Sequence, residues 1–441
     1  MEPTARAPFT ADQRRWYEAA CARLDQERLK RLIAAITGIH SPTGAARAAS
    51  AFMADYLGRV GMDARYKPMT ERSGNILAEK RGSGGGATLL LYAPIDTHLE
   101  GDASDSPWVG EPGLPDLVPV AKVVDDWVYG LGSSNPKAMV STLAEVATAL
   151  IEAEVPIVGD LNVAYADGGM PVVVPERDNA GMSHGILSLL ARGLAPDFAI
   201  IMKPWNWVYH EEPGMGWFKI TLKGTLGYAG VPRGLREFRS SVLPAADMIP
   251  ALEQWILDYT ERNTSGVIKP YGWIAGVRGG WPNRPAFPSA ATEIFFDVRI
   301  SPRTTPADVK AQFADFIRAF RNDHPEIDLD WEMYGSAAGG TTDPQNWIVQ
   351  SCRRGWEEIE ERAYPDPELL GGQTDGAALR RYGVPTARIG WPWPAQGSPE
   401  RIAEGLGGMG ATYVPDLMPC ARKIMYAVID TLTRPRSELG F

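Results

Sequence analysis

Two ionisable side chains directly follow a short apolar segment of the sequence. The run TLLLYA begins at residue 88, and Asp96 and His98 follow it after Pro94. A run bounded by Gly-rich chain predicts a fully buried strand, and the catalytic groups of open α/β sheets lie where such strands end. Histidine is the residue type suited to proton transfer near neutral pH. The alternative for His98 is a loop residue that bonds only backbone or solvent.

A lysine follows a second apolar run in the same way. Lys203 comes directly after DFAIIM, which also predicts a buried strand. We expect Asp96 either to cap its own loop through backbone amides or to pair with Lys203. If both residues are buried, Lys203 is a candidate oxyanion stabiliser, proton donor or, with a lowered pKa, nucleophile.

The elements that must position these residues alternate between strand and helix up to residue 213. Apolar spacing predicts helices at about 16–36 and 45–59, strands at 75–80 and 87–93, further strands in DLNVAYA and DFAIIMK, and a helix that Asn135 caps. Pro136 fits the first position of that helix. This alternation predicts a layered α/β domain.

The pattern changes between residues 214 and 335. The strand-like WFKITLKG is followed by a long amphipathic helix, two strands in YGWIAGVRGG and ATEIFFDVRIS, a helix capped by Thr305 and the strand DLDWEMY. The order βαββαβ predicts a ferredoxin-like domain. Because the α/β pattern resumes afterwards, we expect a discontinuous first domain, 1–213 and 336–441, with 214–335 inserted into it.

Six short phrases occur in order along the chain: PIDT, GLGSSNPK, KPW, KGTLGYAGVP, GGQTD and TYVPD. In order and surroundings they resemble the motifs of the di-zinc aminoacylase, desuccinylase and glutamate carboxypeptidase family of metallohydrolases, and the resemblance covers nearly the whole chain. It implies that the first domain is of the catalytic type and that the inserted domain acts in lid closure and dimerisation. A homodimer through the inserted domain is therefore expected.

The residues that bind zinc in that family are replaced in these phrases. The resemblance places Pro94 at a ligand histidine, Asn135 at the bridging aspartate, Lys203 at a ligand carboxylate and Tyr413 at a late histidine. Zinc needs three or four N, S or O donors. Proline offers none, and a lysine ammonium repels a divalent cation. We therefore expect no metal and no other cofactor at this site.

The Glu-Glu pair of the family has two possible counterparts in this chain. Counting on from Asn135 puts the pair at Gly168-Gly169, whereas counting back from Lys203 puts it at Arg177-Asp178. No glutamate stands at either place. A general base of that kind is therefore not expected.

The resemblance also marks candidate substrate-binding positions. Tyr228 and Tyr413 replace histidines with phenols, which can donate to a carboxylate or an oxyanion. Arg299 and Asn283 match lid positions near a substrate carboxylate, and Asp375 matches a position near the cleft. The alternatives are packing for Tyr413, a strand-surface salt bridge for Arg299 and bracing of a Gly-rich turn for Asp375.

Two tryptophan pairs follow strands of the first domain. Trp205 and Trp207 lie in KPWNW, and Trp391 and Trp393 lie in GWPWP. Tryptophan is usually a core residue, but pairs in Pro-rich loops can wall a flat substrate. Trp205 and Trp393 are the expected substrate-binding members, together with Asn135.

The composition of the chain excludes several classes of function. A net charge of −10 without a basic run argues against nucleic acid, and no apolar segment approaches the roughly 20 residues of a membrane span. The chain has three widely spaced cysteines, which favours a reduced, cytoplasmic setting. The expected partners are a small-molecule substrate and a second copy of the chain.

Two functions are compatible with these residues. The first is a metal-independent hydrolase of an amide-like C–N bond in a small carboxylate-bearing or aromatic substrate, with Asp96, Lys203, His98 and Tyr413 as catalytic residues. The second is a non-catalytic protein that binds a small acidic or aromatic ligand. A narrower alternative is covalent or proton-transfer chemistry of Lys203 on a carbonyl compound. The gain of ionisable groups in the site favours the enzyme.

Overall fold

The chain forms two compact units. The computed structural model describes residues 8–109, 117–178, 180–232, 234–235, 238–393 and 409–441. The first unit spans Met1–His210, Thr342–Pro367 and Thr374–Phe441, and the second spans Glu211–Thr341 and Glu368–Gln373. The second unit begins three residues before the expected residue 214, ends six residues after the expected residue 335, and also includes residues 368–373, which were expected in the first domain.

The first unit is built on a mixed sheet of seven strands. Its strands among the described residues are β1 (Asp63–Pro68), β2 (Gly74–Lys80), β3 (Thr88–Pro94), β4 (Lys122–Val124), β5 (Trp127–Tyr129), β6 (Asp160–Ala166), β7 (Phe198–Met202), β8 (Val208–Tyr209), β15 (Thr386–Ile389) and β16 (Ala411–Tyr413), and its helices are α1 (Ala11–Cys21), α2 (Gln26–Thr37), α3 (Arg47–Val60), α4 (Ser106–Val109), α5 (Met139–Glu152), α6 (His184–Ala191), α9 (Trp347–Glu360), α10 (Gly376–Arg381) and α11 (Leu417–Leu432). The sheet order is β1-β2-β6-β3-β7-β15-β8, and β4, β5 and β16 form a separate small sheet.

The central strands of this sheet run parallel and are covered on both faces. Strands β6, β3, β7 and β15 pair in parallel. Alternate residues of β3 enter opposite cores: Leu89 and Leu91 pack with α5 and α11, whereas Leu90 and Tyr92 pack with α6 and α10. Burial on both faces explains why β3 and β7 are continuous apolar runs in the sequence. The first unit is a layered α/β domain.

The second unit is a four-stranded antiparallel sheet with two helices on one face. In chain order its elements are β9 (Glu211–Glu212), β10 (Gly214–Lys223), α7 (Ala245–Asn263), β11 (Gly272–Gly279), β12 (Ala291–Ile300), α8 (Pro306–Asp323), β13 (Leu329–Ala337) and β14 (Gly340–Thr341). The sheet order is β11-β12-β10-β13. Phe218, Phe296 and Phe313 stack at the centre of its core. The predicted βαββαβ arrangement is confirmed.

Two details of the predicted helices are wrong. The single helix expected at 16–36 is two helices, because Asp25 accepts hydrogen bonds from the amides of Glu27 and Arg28 and so begins α2. The apolar spacing continues across this break, which hides it in the sequence. The long helix of the second unit, which the apolar spacing of SSVLPAADMIPALEQWILDYTERN predicted from Ser240, begins at Ala245, after a bend. None of the helices in the described residues is long and apolar enough to cross a membrane.

A buried carboxylate joins α9 to α11 in the first unit. Asp430 is fully buried and accepts hydrogen bonds from Ser351, from Arg354 at 2.5 Å and from Arg434 at 3.2 Å. Arg354 and Arg434 are themselves largely buried. Each charge is therefore compensated, and the two helices that pack on each other behind the sheet are fixed in register.

Replacing Asp430 with alanine is expected to destabilise the protein by about 3–5 kcal/mol, because Arg354 then stays buried without its carboxylate and Arg434, of its ion pairs with Asp430 and Glu438, keeps only the second. The measurement is urea unfolding of the full chain. Asp55→Ala is the control, because Asp55 pairs with Arg59 on the exposed surface of α3 and such pairs contribute little. Equal effects of the two substitutions would contradict the structural role assigned to Asp430.

Candidate functional site

The parallel strands of the first unit bring the polar residues of four segments to one edge of the sheet. β3 ends at Pro94, just before Asp96, and β6 ends directly before Asp167. β7 ends before Lys203, and β15 ends before Gly390. The carboxyl ends of parallel strands are where open α/β sheets place their ligands. The candidate site is built at this edge.

Asp96 is held by the turn that carries Thr43 and by the segment that follows β6. It is fully buried, and its carboxylate accepts hydrogen bonds from Thr43 Oγ1 at 2.7 Å, from the amide of Gly169 at 3.0 Å and from the amide of Met170 at 3.3 Å. Burial and the nearby charge of Asp167 raise the pKa of Asp96 to about 7. Both oxygens are thus engaged by groups other than Lys203, and the amides that bond them belong to a distant segment and not to the loop of Asp96 itself.

Asp167 is a functional candidate that the sequence analysis missed. Its side chain is buried and accepts hydrogen bonds from the amides of Gly44 and Ala46. Burial raises its pKa. The turn held in this way also carries Thr43, which donates to Asp96. The signal was available, because Asp167 directly follows a predicted strand, as Asp96 nearly does.

Gly169 lies where no side chain fits. A Cβ atom on this residue would lie 2.5 Å from Pro94 Cβ and 2.6 Å from Asp375 Oδ2. Asp375 is fixed in that position by Tyr92, whose hydroxyl donates to the same oxygen at 2.5 Å. A carboxylate-bearing residue at 169 would therefore overlap the side chains that already occupy this space.

Lys203 contacts the residue that stands at the bridging-ligand position. Its Nζ donates to Asn135 Oδ1 at 3.3 Å, and both side chains are buried. Asn135 has extended backbone angles, φ −125° and ψ 109°, within a helical turn at Ser133–Ala138, and α5 begins only at Met139, so the predicted capping of this helix by Asn135 is wrong. The side-chain oxygen of Asn135 accepts the hydrogen bond from Lys203.

A second lysine anchors the turn that carries Asn135. Lys137 is buried and donates to the carbonyls of Ile36 at 2.9 Å and Ile39 at 2.6 Å, at the end of α2. Burial lowers the pKa of Lys137 to about 7. Lys137 therefore ties the Asn135 turn to α2, and Asn135 reaches Lys203 from a fixed backbone.

His98 contributes a neutral imidazole beside Lys203. Burial, together with the charge of Lys203, lowers the pKa of His98 to about 4, while Asp105 acts in the opposite direction. Both ring nitrogens are buried and have no hydrogen-bond partner among the described residues. An unpaired buried polar group costs about 1–3 kcal/mol. A buried polar group without a protein partner is satisfied by a water, an ion or a ligand, or has a role in chemistry.

Two of the four tryptophans belong to the core. Trp391 is almost fully buried, and Trp207 stacks on Trp356. Trp205 and Trp393 instead form an edge-to-face pair with ring centroids 5.7 Å apart. Of the four tryptophans, Trp205 and Trp393 are therefore the ones that could line a substrate site, as the sequence predicted.

The loop that carries Lys203 and Trp205 is pressed against the end of β15. A Cβ atom on Gly390 would lie 1.8 Å from the Lys203 carbonyl oxygen and 2.5 Å from that of Trp205. Trp205 has a φ of 80°, which is strained for a residue with a side chain. The guanidinium of Arg388 lies 5.3 Å from the Trp205 ring and holds it in place.

The remaining predicted site residues lie in other surroundings. In the first unit, Tyr413 ends β16 and packs on Trp127 at a centroid distance of 5.1 Å. In the second unit, Arg299 forms an ion pair with Asp297 at 3.0 Å on strand β12. Each contact is the structural alternative that the sequence left open for that residue.

Two further predicted binding residues of the second unit are exposed. Tyr228 is 55% exposed and stacks on Phe287. Asn283 is exposed in the turn between β11 and β12. Neither has a buried polar contact of the kind seen around Lys203.

The two possible positions of the Glu-Glu pair differ in their surroundings. Gly169 lies against Pro94 and donates to Asp96. Arg177 instead forms an ion pair with Glu100, and Asp178 is exposed with a φ of 59°. The contacts therefore favour the Gly168-Gly169 alternative.

The donor set at this edge does not fit a zinc pair. Proline and glycine side chains supply no donor, and the Asn135 oxygen is bonded to an ammonium. Within the described part of the chain, no group of three or more His, Cys, Asp and Glu residues is placed to hold a metal. No catalytic step is therefore assigned to a metal.

Solved structures of peptidases and an amidase share this fold. Human carnosine dipeptidase 1 matches with a TM-score of 0.70 and 14% identity over 97% of this chain and 100% of its own. The M20 family metallo-carboxypeptidase of Sulfolobus solfataricus matches with a TM-score of 0.66 and 13% identity over 92% and 99%. The amidase of the hydantoinase/carbamoylase family from Burkholderia multivorans matches with a TM-score of 0.63 and 13% identity over 94% and 99%. The likeness is one of fold.

No model of a known protein family matches the sequence. The shared fold is therefore found at only 13–14% sequence identity. The contacts around Lys203 and Gly169 must accordingly be interpreted from this chain's own geometry.

Gly169→Ala is expected to destabilise the protein by about 1–3 kcal/mol, because the added methyl group overlaps Pro94 and Asp375. Gly58→Ala is the matched control: Gly58 lies in α3 with open space around its Cβ position, and the change should stabilise by about 0.5–1 kcal/mol. Urea unfolding of both variants measures the difference. Similar effects of the two changes would show that the space at residue 169 is not closed.

His98 is expected to titrate near pH 4 in the folded protein. Between pH 6.5 and 4 the unfolded chain then binds a proton at His98 that the folded chain does not, so the free energy of unfolding falls as the pH falls. Asp96, whose pKa is raised from 3.8 to about 7, contributes the opposite slope over much of the same pH range, because there the folded chain holds a proton that the unfolded chain releases. NMR titration of the His98 ring measures the midpoint.

The stability contribution of His98 is separated by comparing the native chain with His98→Gln. The loss of unfolding free energy between pH 6.5 and 4 should be smaller in the variant, because it has no imidazole to protonate. A His98 midpoint at or above 6.5, or equal pH slopes in the two proteins, would contradict the burial of this ring.

Proposed function

We propose that this protein is a hydrolase that cleaves an amide-like C–N bond without a bound metal. The observation that carries the proposal is the contact of Lys203 Nζ with Asn135 Oδ1, which puts a buried ammonium where a metal-dependent relative would hold its metals. The shared fold with a carboxypeptidase, a dipeptidase and an amidase supports the type of bond.

Lys203 is proposed to stabilise the charge that develops on the substrate carbonyl oxygen. Attack on an amide carbonyl turns its oxygen into an oxyanion, and a fixed positive charge in a buried site stabilises that state more than the neutral carbonyl. Asn135 orients the ammonium by accepting one of its hydrogen bonds. Lys203 is thus assigned the electrostatic role that a metal has elsewhere.

His98 is proposed to activate water. Its pKa of about 4 keeps the ring neutral, and therefore able to accept a proton, at neutral pH. As the water oxygen bonds to the carbonyl carbon, a water proton passes to His98. The same proton then moves to the leaving nitrogen as the C–N bond breaks, so that a carboxylic acid and an amine are released.

The weak basicity of His98 in the resting site is offset during the reaction. The charge of Lys203 contributes to the low pKa of His98. When the oxyanion forms beside Lys203, it cancels part of that charge, and the imidazole becomes more basic when it must take the proton. Asp96 is assigned a positioning role, because its carboxylate holds the loop that leads to His98.

The proposed substrate is a small amide with a carboxylate or an aromatic group. The edge-to-face pair of Trp205 and Trp393 offers a flat apolar surface on the segments that follow β7 and β15. We further propose a homodimer through the second unit and a cytoplasmic location, in keeping with the cysteine content of the sequence.

The test is turnover of a panel of N-acyl amino acids by the purified full chain after exhaustive chelation, with metal content measured on the same sample. We expect saturable amine release that added zinc does not increase. Lys203→Met should lower kcat/KM by about 10²–10³-fold, because it removes the charge that stabilises the oxyanion. Lys203→Arg should retain part of the activity.

Lys310→Met is the control, since Lys310 is exposed on α8 of the second unit. Circular dichroism and thermal unfolding of each variant separate loss of catalysis from loss of fold. Stoichiometric tightly bound metal, or activity that chelation abolishes and zinc restores, would overturn metal independence. Ligand-induced stabilisation without product would overturn the hydrolase and leave a binding protein. Trapping of Lys203 on a carbonyl substrate by borohydride would replace water attack with covalent catalysis.

A further inference from the structure

We propose that the centre formed by Lys203, Asn135 and His98 binds small carboxylates, and that it therefore retains the acid product of the reaction. The identity of the physiological carboxylate, the acid product, rests on the proposed function. The binding property itself rests on the contact of Lys203 with Asn135 and on the buried ring of His98 whose nitrogens have no partner among the described residues, and it is testable without turnover.

The Lys203–Asn135 contact fixes which end of the asparagine amide faces the lysine. An ammonium can only donate hydrogen bonds, so the Asn135 oxygen must face it and the amide nitrogen must take the other branch of the side chain. The pair therefore presents a positive charge and an N–H group. Both features attract an anion and disfavour a cation.

His98 supplies a second observation that points to a ligand. Its two ring nitrogens are buried and lack a partner in the described segments of the chain. A neutral imidazole carries one N–H donor and one acceptor. A carboxylate oxygen near Lys203 can accept from that donor, which removes the cost of leaving it unpaired.

Two carboxylates of the segment that carries His98 are already engaged by backbone amides. Asp96 accepts from the amides of Gly169 and Met170. Asp105, the acid that interacts with His98, accepts from the amides of Glu100 and Gly101. These amides offset part of the negative charge of both residues, so an incoming carboxylate is attracted by Lys203 against a reduced repulsion.

Anion binding must also change the acidity of His98. The charge of Lys203 disfavours the imidazolium, whereas a bound carboxylate compensates that charge and favours it. By linkage, the carboxylate then binds more tightly as the pH falls toward the pKa of His98. A carboxylate bound elsewhere on the protein would leave the titration of His98 unchanged.

The experiment is an NMR titration of the His98 ring in the chelated full-length protein with sodium acetate and, in parallel, with acetamide. Acetamide has nearly the same size and lacks the charge. We expect acetate to shift the His98 resonances saturably and to raise the midpoint of its pH titration, and acetamide to do neither. Lys203→Met should weaken acetate binding by about tenfold or more, as removal of a charged hydrogen-bond donor predicts.

The ring of His324 is the internal control, because it lies at the end of α8 in the second unit. Its resonances should not respond to acetate at constant pH. Equal responses of His98 to acetate and acetamide, or unchanged acetate affinity in Lys203→Met, would overturn the carboxylate site. Absence of hydrolysis with intact acetate binding would overturn only the proposed reaction, so the two failures are distinguishable.

Discussion

A buried ammonium governs the electrostatics at the carboxyl ends of the first unit's central strands. Lys203 follows a fully buried strand, and its charge is taken from water into the protein. Such a charge persists only where dipoles or counter-charges compensate it. The oxygen of Asn135 supplies part of that compensation. Burial keeps His98 neutral, and the charge of Lys203 acts in the same direction.

The acidic residues of the same edge have a separate role. Asp96 and Asp167 accept hydrogen bonds from amides that lie far from them in the sequence, and in this way they join the turn at residues 43–46 to the segment after β6. Tyr92 fixes Asp375 below them. The acids thus build the backbone frame, whereas the lysine, the asparagine and the histidine offer groups for binding and chemistry.

The amino-acid sequence predicted the parts of this arrangement that depend on local patterns. Apolar runs marked β3 and β7, and with them the strand-end positions of Asp96 and Lys203. The contact of Lys203 with Asn135 joins residues 68 positions apart, and no local pattern encodes it. The sequence left open whether Asp96 pairs with Lys203. In the structure the carboxylate of Asp96 accepts hydrogen bonds from the amides of Gly169 and Met170 instead, and the positions of these amides are set by the folded backbone and not by a local sequence pattern.

The close contacts around Gly169 also limit how this site can change. Pro94, Gly169 and Asp375 fill one volume together, and Tyr92 fixes the last of them. A histidine at 94 or a glutamate at 169 would each need space that the other residues occupy. Substitutions toward a metal centre are therefore expected to be strongly epistatic: each is unfavourable alone, and only a concerted change can be neutral. An engineer who wishes to install a metal here must redesign the packing before the ligands.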